Sequence, residues 1–445
     1  MTPRAPAAPL RALPEAARPL VEAVLGTARR EGYAVHLVGG PVRDLLRDVR
    51  VRDVDLIVET RQGRGAIELA QSAAPPNARV VAHGRFGTVR MELPDVPDGR
   101  VDLATVRAES YARPGALPEV RPATLEADLR RRDFTVNAMA IPLTPAARRG
   151  RPDVIDVEDG RRDLESHTLR VLHPRSFHDD PTRALRAARF AARLSFTLSR
   201  GSRSALRDAL RDGVFGNVSG ERFRREFENL FEDAQREGAD PAAALRLLDA
   251  WHVLGALEPG LALPRPAVAP LRRLGRALAQ PPWPTVRIRP WVAGLAVWLA
   301  TLDPGLRGRA LRRIAVRGEI RARIAGFRRE RDAWLRSLAR SRGRGAIDAV
   351  LSSVDEESLL ALHASAPSPL RRRIARFASE DRRRRPPVRG DDLLAAGLSG
   401  PVVGRALARI RIEYLDGRVK TREEALAVAR EVERRGRRSG PRKRS

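Results

Sequence analysis

The sequence predicts an α+β protein, in which a small mixed β-sheet forms an N-terminal domain and the domains that follow are all helical. Short runs rich in β-branched residues, separated by turn residues, fill residues 33 to about 145. After about residue 160 they give way to long Ala-, Leu- and Arg-rich segments with helical spacing. At 445 residues the chain is too long for one compact core, so roughly two to four domains are expected.

Breaks in these patterns give the predicted domain borders. Leu20, Val21, Val24 and Leu25 have the spacing of an amphipathic helix in an N-terminal extension, residues 1–30. The other predicted segments are an α/β head (31–145), a helical neck (146–270), a helical body (271–345), a helical tail (346–433) and a basic, disordered terminus (434–445). In the head we predict strands at 34–38, 53–59, 79–81, 87–93 and 100–107, and helices at 42–47 and 65–73.

Composition limits the partners. The formal net charge of +29 implies a polyanionic partner, for which nucleic acid is the first candidate. A GC-rich genome can explain the preference for arginine and alanine, but not the excess of basic over acidic residues. Cysteine is absent, which excludes disulfides and cysteine-ligated zinc. No window is long and apolar enough for a membrane span, so we expect a cytoplasmic protein that does not contact a membrane.

A glycine pair follows the first predicted strand. Gly39 and Gly40 precede a predicted helix, where backbone N–H groups can approach a phosphate and the helix N-terminus favours an anion. Arg43, one turn into the helix, can reach the same anion. Taken alone, such a pair is more often part of an ordinary turn.

Two aspartates mark the next strand. Asp53 and Asp55 are two residues apart, so on a strand both carboxylates leave the same face. Carboxylates this close repel each other unless a divalent cation lies between them, and such oxygen ligands suit Mg²⁺. A solvated pair at a strand end is the alternative. Asp102, in a later predicted strand, is a candidate third carboxylate, or simply an edge charge.

Several segments together resemble the class II CCA-adding enzymes and poly(A) polymerases of the polymerase β superfamily. The matching segments, in the family's order, are Gly39-Gly40 with Arg43-Asp44, Asp53-Val54-Asp55, 83–89, 131–140, the nucleotide-selecting motif at 179–190, and Ser219-Gly220-Glu221-Arg222 with Glu226. The resemblance is strong from residue 30 to about 260 and resumes at 390–417. The family usually begins the selecting motif with glutamate, whereas Asp179 stands here, which puts the nucleotide preference in doubt.

The resemblance implies a role for each matched position. Asp53 and Asp55 would hold two Mg²⁺ ions. Asp102 is the third catalytic candidate because of its position in a strand and not because of the resemblance. The implied nucleotide contacts are Gly39, Gly40 and Arg43 to the triphosphate, Arg132 and Asp133 to ribose and phosphates, Asp180 and Arg183 to the base edge, and Arg186 and Arg189 to phosphates.

The implied activity is template-independent transfer of CMP and AMP from CTP and ATP to the 3′ end of tRNA, with the helical tail binding the tRNA. An enzyme that adds only A, a poly(A) polymerase and an inactive RNA-binding protein are the alternatives. Residues 107–131 resemble a flexible element that CC-adding members lack, which disfavours addition of CC alone. Oligomeric state stays open.

Overall fold

The computed structural model describes residues 9–144, 153–285 and 287–438. It divides into two compact units, Met1–Ser219 and Gly220–Ser445. Of the predicted basic terminus, residues 434–438 belong to the last helix and residues 439–445 lie outside the described residues. The first unit contains every strand of the described chain and the second is helical, so the predicted fold class is confirmed.

The strands of the first unit are β1 (Val35–Val38), β2 (Asp55–Val58), β3 (Arg79–His83), β4 (Thr88–Glu92), β5 (Arg100–Thr105), β6 (Arg107–Ser110), β7 (Glu119–Pro122), β8 (Met139–Pro142), β9 (Ile155–Asp156), β10 (Thr168–Leu169) and β11 (Thr197–Leu198). Its helices are α1 (Arg18–Glu31), α2 (Gly40–Leu46), α3 (Ala66–Ala73), α4 (Leu125–Arg130), α5 (Gly160–Glu165), α6 (Ser176–Asp179), α7 (Arg183–Leu194) and α8 (Arg200–Arg211).

The main sheet has the strand order β3-β4-β5-β2-β1-β8-β9. Only the β2–β5 pair is parallel, so the sheet is mixed, as predicted. The sheet continues through β9 past the predicted head border at residue 145, because Met139 of β8 pairs with Asp156. The sequence also did not predict the β6–β7 hairpin or the two-residue β10–β11 ladder.

The two faces of this sheet differ. Leu56, Leu103 and Met91 are buried on the face covered by α1 and α3. Because side chains alternate along a strand, their neighbours Asp55 and Asp102 leave the opposite face, which we call the carboxylate face. Burial of the apolar side chains thus directs the polar ones to one side.

The second unit contains α9 (Gly220–Glu237), α10 (Pro241–Ala250), α11 (Val253–Leu257), α12 (Arg265–Leu278), α13 (Pro290–Leu299), α14 (Pro304–Arg313), α15 (Gly318–Arg340), α16 (Arg344–Leu351), α17 (Glu356–Ser365), α18 (Ser368–Ser379), α19 (Gly390–Ala395), α20 (Pro401–Leu415) and α21 (Arg422–Arg438). The apolar α13 is buried along its whole length and packs against α9, α15 and α17. A separate apolar cluster that includes Leu393, Ile410 and Ala429 holds α19, α20 and α21 together. No helix in the parts of the chain that the structure describes combines the length and apolarity needed to cross a membrane.

Candidate active site

Two of the three predicted carboxylates are paired by the sheet itself. Asp55 opens β2, and Asp102 of β5 lies directly opposite it in the parallel ladder. The Asp102 amide donates to the carbonyl of Val54 at 2.9 Å, which holds this register. Residues in register share a face, so both carboxylates leave the carboxylate face side by side.

Asp53 lies just before β2 rather than within the strand, which begins later than predicted. Its side chain is 52% exposed and forms an ion pair with Arg100 of β5. Its negative charge nevertheless acts on Asp55, as the pKa of that residue shows. All three predicted carboxylates therefore belong to one electrostatic site.

Asp55 has an unusual acidity. Burial is the largest cause that raises its pKa from 3.8 to about 7, and the negative charges of Asp102 and Asp53 raise it further. Arg132 and Arg100 act in the opposite direction without restoring the ordinary value. The folded chain thus places Asp55 where another positive charge would be favourable.

Asp102 is held by an arginine that the sequence analysis did not single out. Arg90 of β4 lies opposite Asp102 in the antiparallel β4–β5 ladder. It donates from Nε to Oδ1 at 2.8 Å and from Nη2 to Oδ2 at 3.0 Å, forming a two-bond pair. Arg100 is two residues before Asp102 in β5 and so shares its face, but the position of Arg90 opposite Asp102 depends on the register between β4 and β5.

The turn after β1 requires glycine. Gly39 has φ 73° and ψ −133°, a conformation that residues with a Cβ rarely adopt. A Cβ at this position would also lie 3.2 Å from Nη1 of Arg132. Gly40 then begins α2, with Pro41 in its first turn. The predicted order of strand, glycine pair and helix is therefore present.

Arg132 connects this turn to the carboxylates. Its Nη2 donates to Oδ2 of the buried Asp128 at 3.0 Å. Its Nε is buried and has no hydrogen-bond partner among the described residues. Because Arg132 also acts electrostatically on Asp55, it lies between the glycine turn and the acidic side chains.

Arg43 is committed to the protein interior. Only 2% of it is exposed, and it donates from Nε and Nη2 to Asp44 at 2.8 and 2.9 Å and from Nη1 to Asn137 at 2.7 Å. The guanidinium carbon lies 5.5 Å from the ring centroid of Phe190. In this structure Arg43 stabilises α2 through these hydrogen bonds and does not face the solvent beside Gly40.

Asp133 is buried and forms an ion pair with Arg186 of α7. Its Oδ2 accepts from Nε and Nη2 of Arg186 at 2.9 and 2.6 Å, and its Oδ1 accepts from Nδ2 of Asn137 at 3.1 Å. Burial alone would raise the pKa of Asp133, but the charge of Arg186 and the hydrogen bonds from Asn137 and Arg186 bring it below its ordinary value. Asp133 therefore stays ionised and fixes Arg186.

Arg183 is 5% exposed and donates from Nη1 to the Ser176 hydroxyl at 2.5 Å and from Nη2 to the Arg131 carbonyl at 2.8 Å. Asp180 accepts from the amide and hydroxyl of Thr182, at 2.9 and 2.6 Å, just before α7 begins. Arg189, also in α7, is 8% exposed. Of the two residues predicted to read the base edge, Arg183 thus holds the start of α7 against the head, and Asp180 caps the turn before this helix.

Asp179, the departure from the family pattern, ends α6 and lies 3.6 Å from His173, measured between Oδ2 and Nε2.

A cavity of about 580 Å³ covers the carboxylate face. Its lining includes Asp55, Asp102, Arg132, Arg90, Arg79, His83, Thr88 and Glu92. Of the predicted site residues, Asp55, Asp102 and Arg132 are thus brought together around one space, whereas Arg183 and Arg189 are not among its lining residues.

The side chains at this site supply only some of the ligands that a divalent cation needs. Within residues 9–144, 153–285 and 287–438, no group of three or more His, Asp or Glu side chains is arranged to hold a metal by itself. Mg²⁺, however, is bound through one or two carboxylates together with water and substrate phosphates. Asp53 and Asp55 provide two carboxylates, and burial together with the charges of Asp102 and Asp53 raises the pKa of Asp55, so a bound cation would favour its ionised form.

Comparison with known proteins places the site in a family. Residues 35–170 match the family described as the poly A polymerase head domain, a range that contains the three carboxylates, the glycine turn and Arg132. The chain is similar to the A-adding tRNA nucleotidyltransferase of Halalkalibacterium halodurans, with 31% identity over 410 residues that cover 89% of this chain and 88% of that protein.

Two other relatives match less of their own length. The A-adding tRNA nucleotidyltransferase of Geobacter sulfurreducens is 30% identical over 409 residues, which cover 89% of this chain but 44% of that protein. The chain therefore spans less than half the length of this relative. The CC-adding tRNA nucleotidyltransferase of Deinococcus radiodurans is 46% identical over 159 residues, covering 36% of this chain and 40% of that protein.

Solved structures resemble the chain along most of its length. The Thermotoga maritima CCA-adding enzyme complexed with tRNA has 26% identity and a TM-score of 0.66, covering 96% of this chain and 97% of that one. CCA-adding enzymes in complex with ATP and with CTP have 27% and 26% identity and TM-scores of 0.66 and 0.65. These cover 96% and 94% of this chain and 95% and 96% of those chains.

Proposed function

Because the chain belongs to the family of tRNA nucleotidyltransferases with a poly(A) polymerase head domain, we propose that it transfers CMP and AMP from CTP and ATP to the 3′ end of tRNA. The observation that carries the proposal is the register that sets Asp55 beside Asp102, next to the turn at Gly39. In the reaction, the RNA 3′-hydroxyl attacks the α-phosphorus of the nucleotide. A phosphodiester bond forms, the bond between the α- and β-phosphates breaks, and pyrophosphate leaves.

Asp53 and Asp55 would hold Mg²⁺ in this reaction. When bound, the ion supplies Lewis acidity that makes the 3′-hydroxyl a better nucleophile and neutralises charge on the phosphates. The chain contributes by placing both carboxylates at one site, where burial and neighbouring negative charges raise the pKa of Asp55 and a cation would favour its ionised form.

The backbone at Gly39 and Gly40 would approach the triphosphate, and Arg132 would bind it. The buried, unpartnered Nε of Arg132 supports this role, because an unsatisfied buried donor is costly unless a ligand completes its bonding. Arg43 would then act on the triphosphate indirectly, by fixing α2 through Asp44.

The nucleotide-selecting motif at 179–190, most of which lies in α7, would read the base. Asp133 holds Arg186, and we propose that Arg186 and Arg189 lie near the nucleotide phosphates. Asp180 and Arg183 offer an acceptor and a donor fork for a base edge. Their present hydrogen bonds to Thr182 and Ser176 would be exchanged for bonds to the base.

Addition of A alone to tRNA ending in CC is the second candidate function. It is favoured by the relatives from Halalkalibacterium halodurans and Geobacter sulfurreducens, which match 89% of this chain and are described as A-adding. Completion of CCA is favoured by the CCA-adding enzymes in complex with tRNA, ATP and CTP, which are similar over at least 94% of this chain.

The test is to incubate purified protein and Mg²⁺ with tRNA lacking one, two or three terminal nucleotides, supplying labelled CTP or ATP separately. CMP and AMP incorporation indicates CCA addition, AMP incorporation only on tRNA ending in CC indicates A addition, and long A tracts indicate a poly(A) polymerase. Absence of transfer in all reactions would leave an RNA-binding protein without this activity.

The metal assignment is tested by Asp53→Ala, with Glu126→Ala as the matched control for loss of one exposed acidic side chain. Asp53→Ala should lower the transfer rate at least about a thousandfold, because several kcal/mol of charge stabilisation are lost. Affinity for tRNA, measured by filter binding, should change little. Activity comparable with that of the control would exclude Asp53 from the metal site.

A further inference from the structure

A row of side chains crosses the carboxylate face from β2 to β3. Asp55 lies opposite Asp102, Asp102 opposite Arg90, and Arg90 opposite Val81. The strand order β3-β4-β5-β2-β1 puts the glycine turn, which follows β1, at one side of the two carboxylates and Arg90 at the other. Since neighbouring strands are about 5 Å apart, Arg90 borders the carboxylates directly.

Arg90 is arranged to bind a ligand from this position. Its side chain is 46% exposed and it lines the cavity beside Arg79 and His83. Two of its nitrogens bind Asp102, which fixes the plane of the guanidinium, and Nη1 has no hydrogen-bond partner within the described part of the chain. An oriented guanidinium with a free edge matches the geometry of a phosphate.

The geometry of phosphoryl transfer indicates which phosphate Arg90 would bind. The attacking and leaving oxygens lie roughly in line on opposite sides of the transferred phosphorus. If the leaving pyrophosphate is at the glycine turn, the attacking hydroxyl approaches from the side of β5 and β4. The RNA strand that carries this hydroxyl must then pass over β4, where Arg90 lies.

Resting on the proposed function, we propose that Arg90 binds the last phosphodiester of the acceptor RNA and so holds its 3′-hydroxyl beside Asp102. Arg90 then acts on the RNA and not on the incoming nucleotide, which is bound on the other side of the carboxylates. Loss of Arg90 should therefore raise the KM for RNA and leave the KM for the nucleotide unchanged.

The test compares Arg90→Ala with the wild type on two RNA hairpins that reproduce the acceptor end, one natural and one with an uncharged methylphosphonate at the last phosphodiester. Affinity is measured by fluorescence anisotropy without nucleotide, and KM by transfer. For the wild type, the neutral linkage should weaken binding about tenfold, as expected for one charge-assisted contact. For Arg90→Ala, both hairpins should bind about tenfold more weakly than natural RNA binds to the wild type, and equally.

Arg64→Ala is the matched control. Arg64 is another exposed head arginine, 3.9 Å from Glu31 of α1. It is adjacent to Gly65, which packs so closely on Thr105, on the other face of the sheet, that a Cβ added to it would clash. This variant should discriminate between the hairpins as the wild type does. Thermal melting of each variant establishes that it is folded, and Arg90→Lys, which keeps the charge, should restore part of the discrimination.

Two results would overturn the inference. One is an Arg90→Ala variant that still discriminates tenfold between the hairpins. The other is rescue of RNA affinity by adding Asp102→Asn to Arg90→Ala, which would mean that Arg90 only neutralises Asp102. The binding measurement does not depend on transfer, so a wild type that transfers no nucleotide would overturn the proposed function and leave the binding of Arg90 to be judged by anisotropy.

Discussion

Replacing Asp55 with asparagine should stabilise the protein while abolishing transfer. The carboxylate is partly buried beside Asp102 and near Asp53, and these surroundings raise its pKa from 3.8 to about 7. An ionised Asp55 is therefore unfavourable in the folded chain without a metal. Asparagine has nearly the same shape and removes the charge, so it should remove this cost.

The pKa sets the size and the pH dependence of the effect. One pKa unit corresponds to about 1.4 kcal/mol, so the rise from 3.8 to about 7 destabilises the ionised, folded form by at most about 4 kcal/mol. Solvent reaches part of the side chain and screens these interactions, so we expect about 1 to 2 kcal/mol. Because the folded chain binds the proton more tightly than the unfolded chain, wild-type stability falls as pH rises from about 4 to about 7. The advantage of asparagine grows over the same range and is constant above it.

Thermal melting without divalent metal at pH 5 and pH 8 measures this advantage. At pH 8, Asp55→Asn should melt about 2 to 6 °C higher than the wild type, and at pH 5 the difference should be smaller. Mg²⁺ should raise the melting temperature of the wild type and not that of the variant, because the ion binds only the folded site. Glu126→Gln, which removes an exposed charge, should change neither. Equal melting of wild type and Asp55→Asn at pH 8 would refute the electrostatic argument.

Two further substitutions test the surroundings of the site. Gly39→Ala should destabilise the head by about 1 to 3 kcal/mol and raise the KM for nucleotide, because alanine is strained at φ 73°. The control is Gly201→Ala, in a helix with open space around the residue, which should be neutral or slightly stabilising. Urea unfolding measures both effects on stability. Asp133→Asn should cost about 2 kcal/mol and raise the KM for nucleotide without changing RNA affinity, because Arg186 loses its buried partner. Unchanged steady-state kinetics for either Gly39→Ala or Asp133→Asn would contradict the role given to that residue.

The strand at Asp55 and the turn at Gly39 could be predicted from the sequence because each depends only on residues that are close together in the chain. The apolar run after Asp55 predicts a strand at 53–59, and the structure has β2 at Asp55–Val58. The glycine pair marks a backbone conformation that few other residues adopt, so the turn before α2 could also be located. Both predictions require only the preferences of residues that are adjacent in the chain.

The pairing of Asp55 with Asp102 could not be derived in this way. It depends on β5 returning to lie parallel to β2 after α3 and the β3–β4 hairpin have intervened. The alternation of side chains along a strand does not show which face of the sheet a given residue occupies when the register with the neighbouring strand is unknown. The same gap explains why Arg90 and Arg100 were overlooked, since their partners are distant in the sequence.

Burial of charged side chains was the other feature that spacing did not reveal. The sequence identifies Arg43 and Arg183 as cations that can reach an anion, and the i, i+3 spacing within α7 is compatible with solvent on that face. In the structure, Arg43 and Arg183 are 2% and 5% exposed because acceptors on other elements, such as Asn137 and Ser176, satisfy their N–H groups. Such acceptors come from tertiary contacts that a periodic pattern does not encode.

The arrangement of the carboxylates depends on the apolar face behind them. A slip of one residue in the β2–β5 register would turn Asp102 towards α1 and α3 and bring Leu103 to the carboxylate face. Leu56, Leu103 and Met91 are at most 2% exposed, and burial of each stabilises the native register by about 1.5 to 3 kcal/mol. Together they exceed the roughly 4 kcal/mol upper limit for ionising Asp55 in this position. Hydrophobic burial on one side of the sheet is therefore sufficient to hold two repelling carboxylates together on the other.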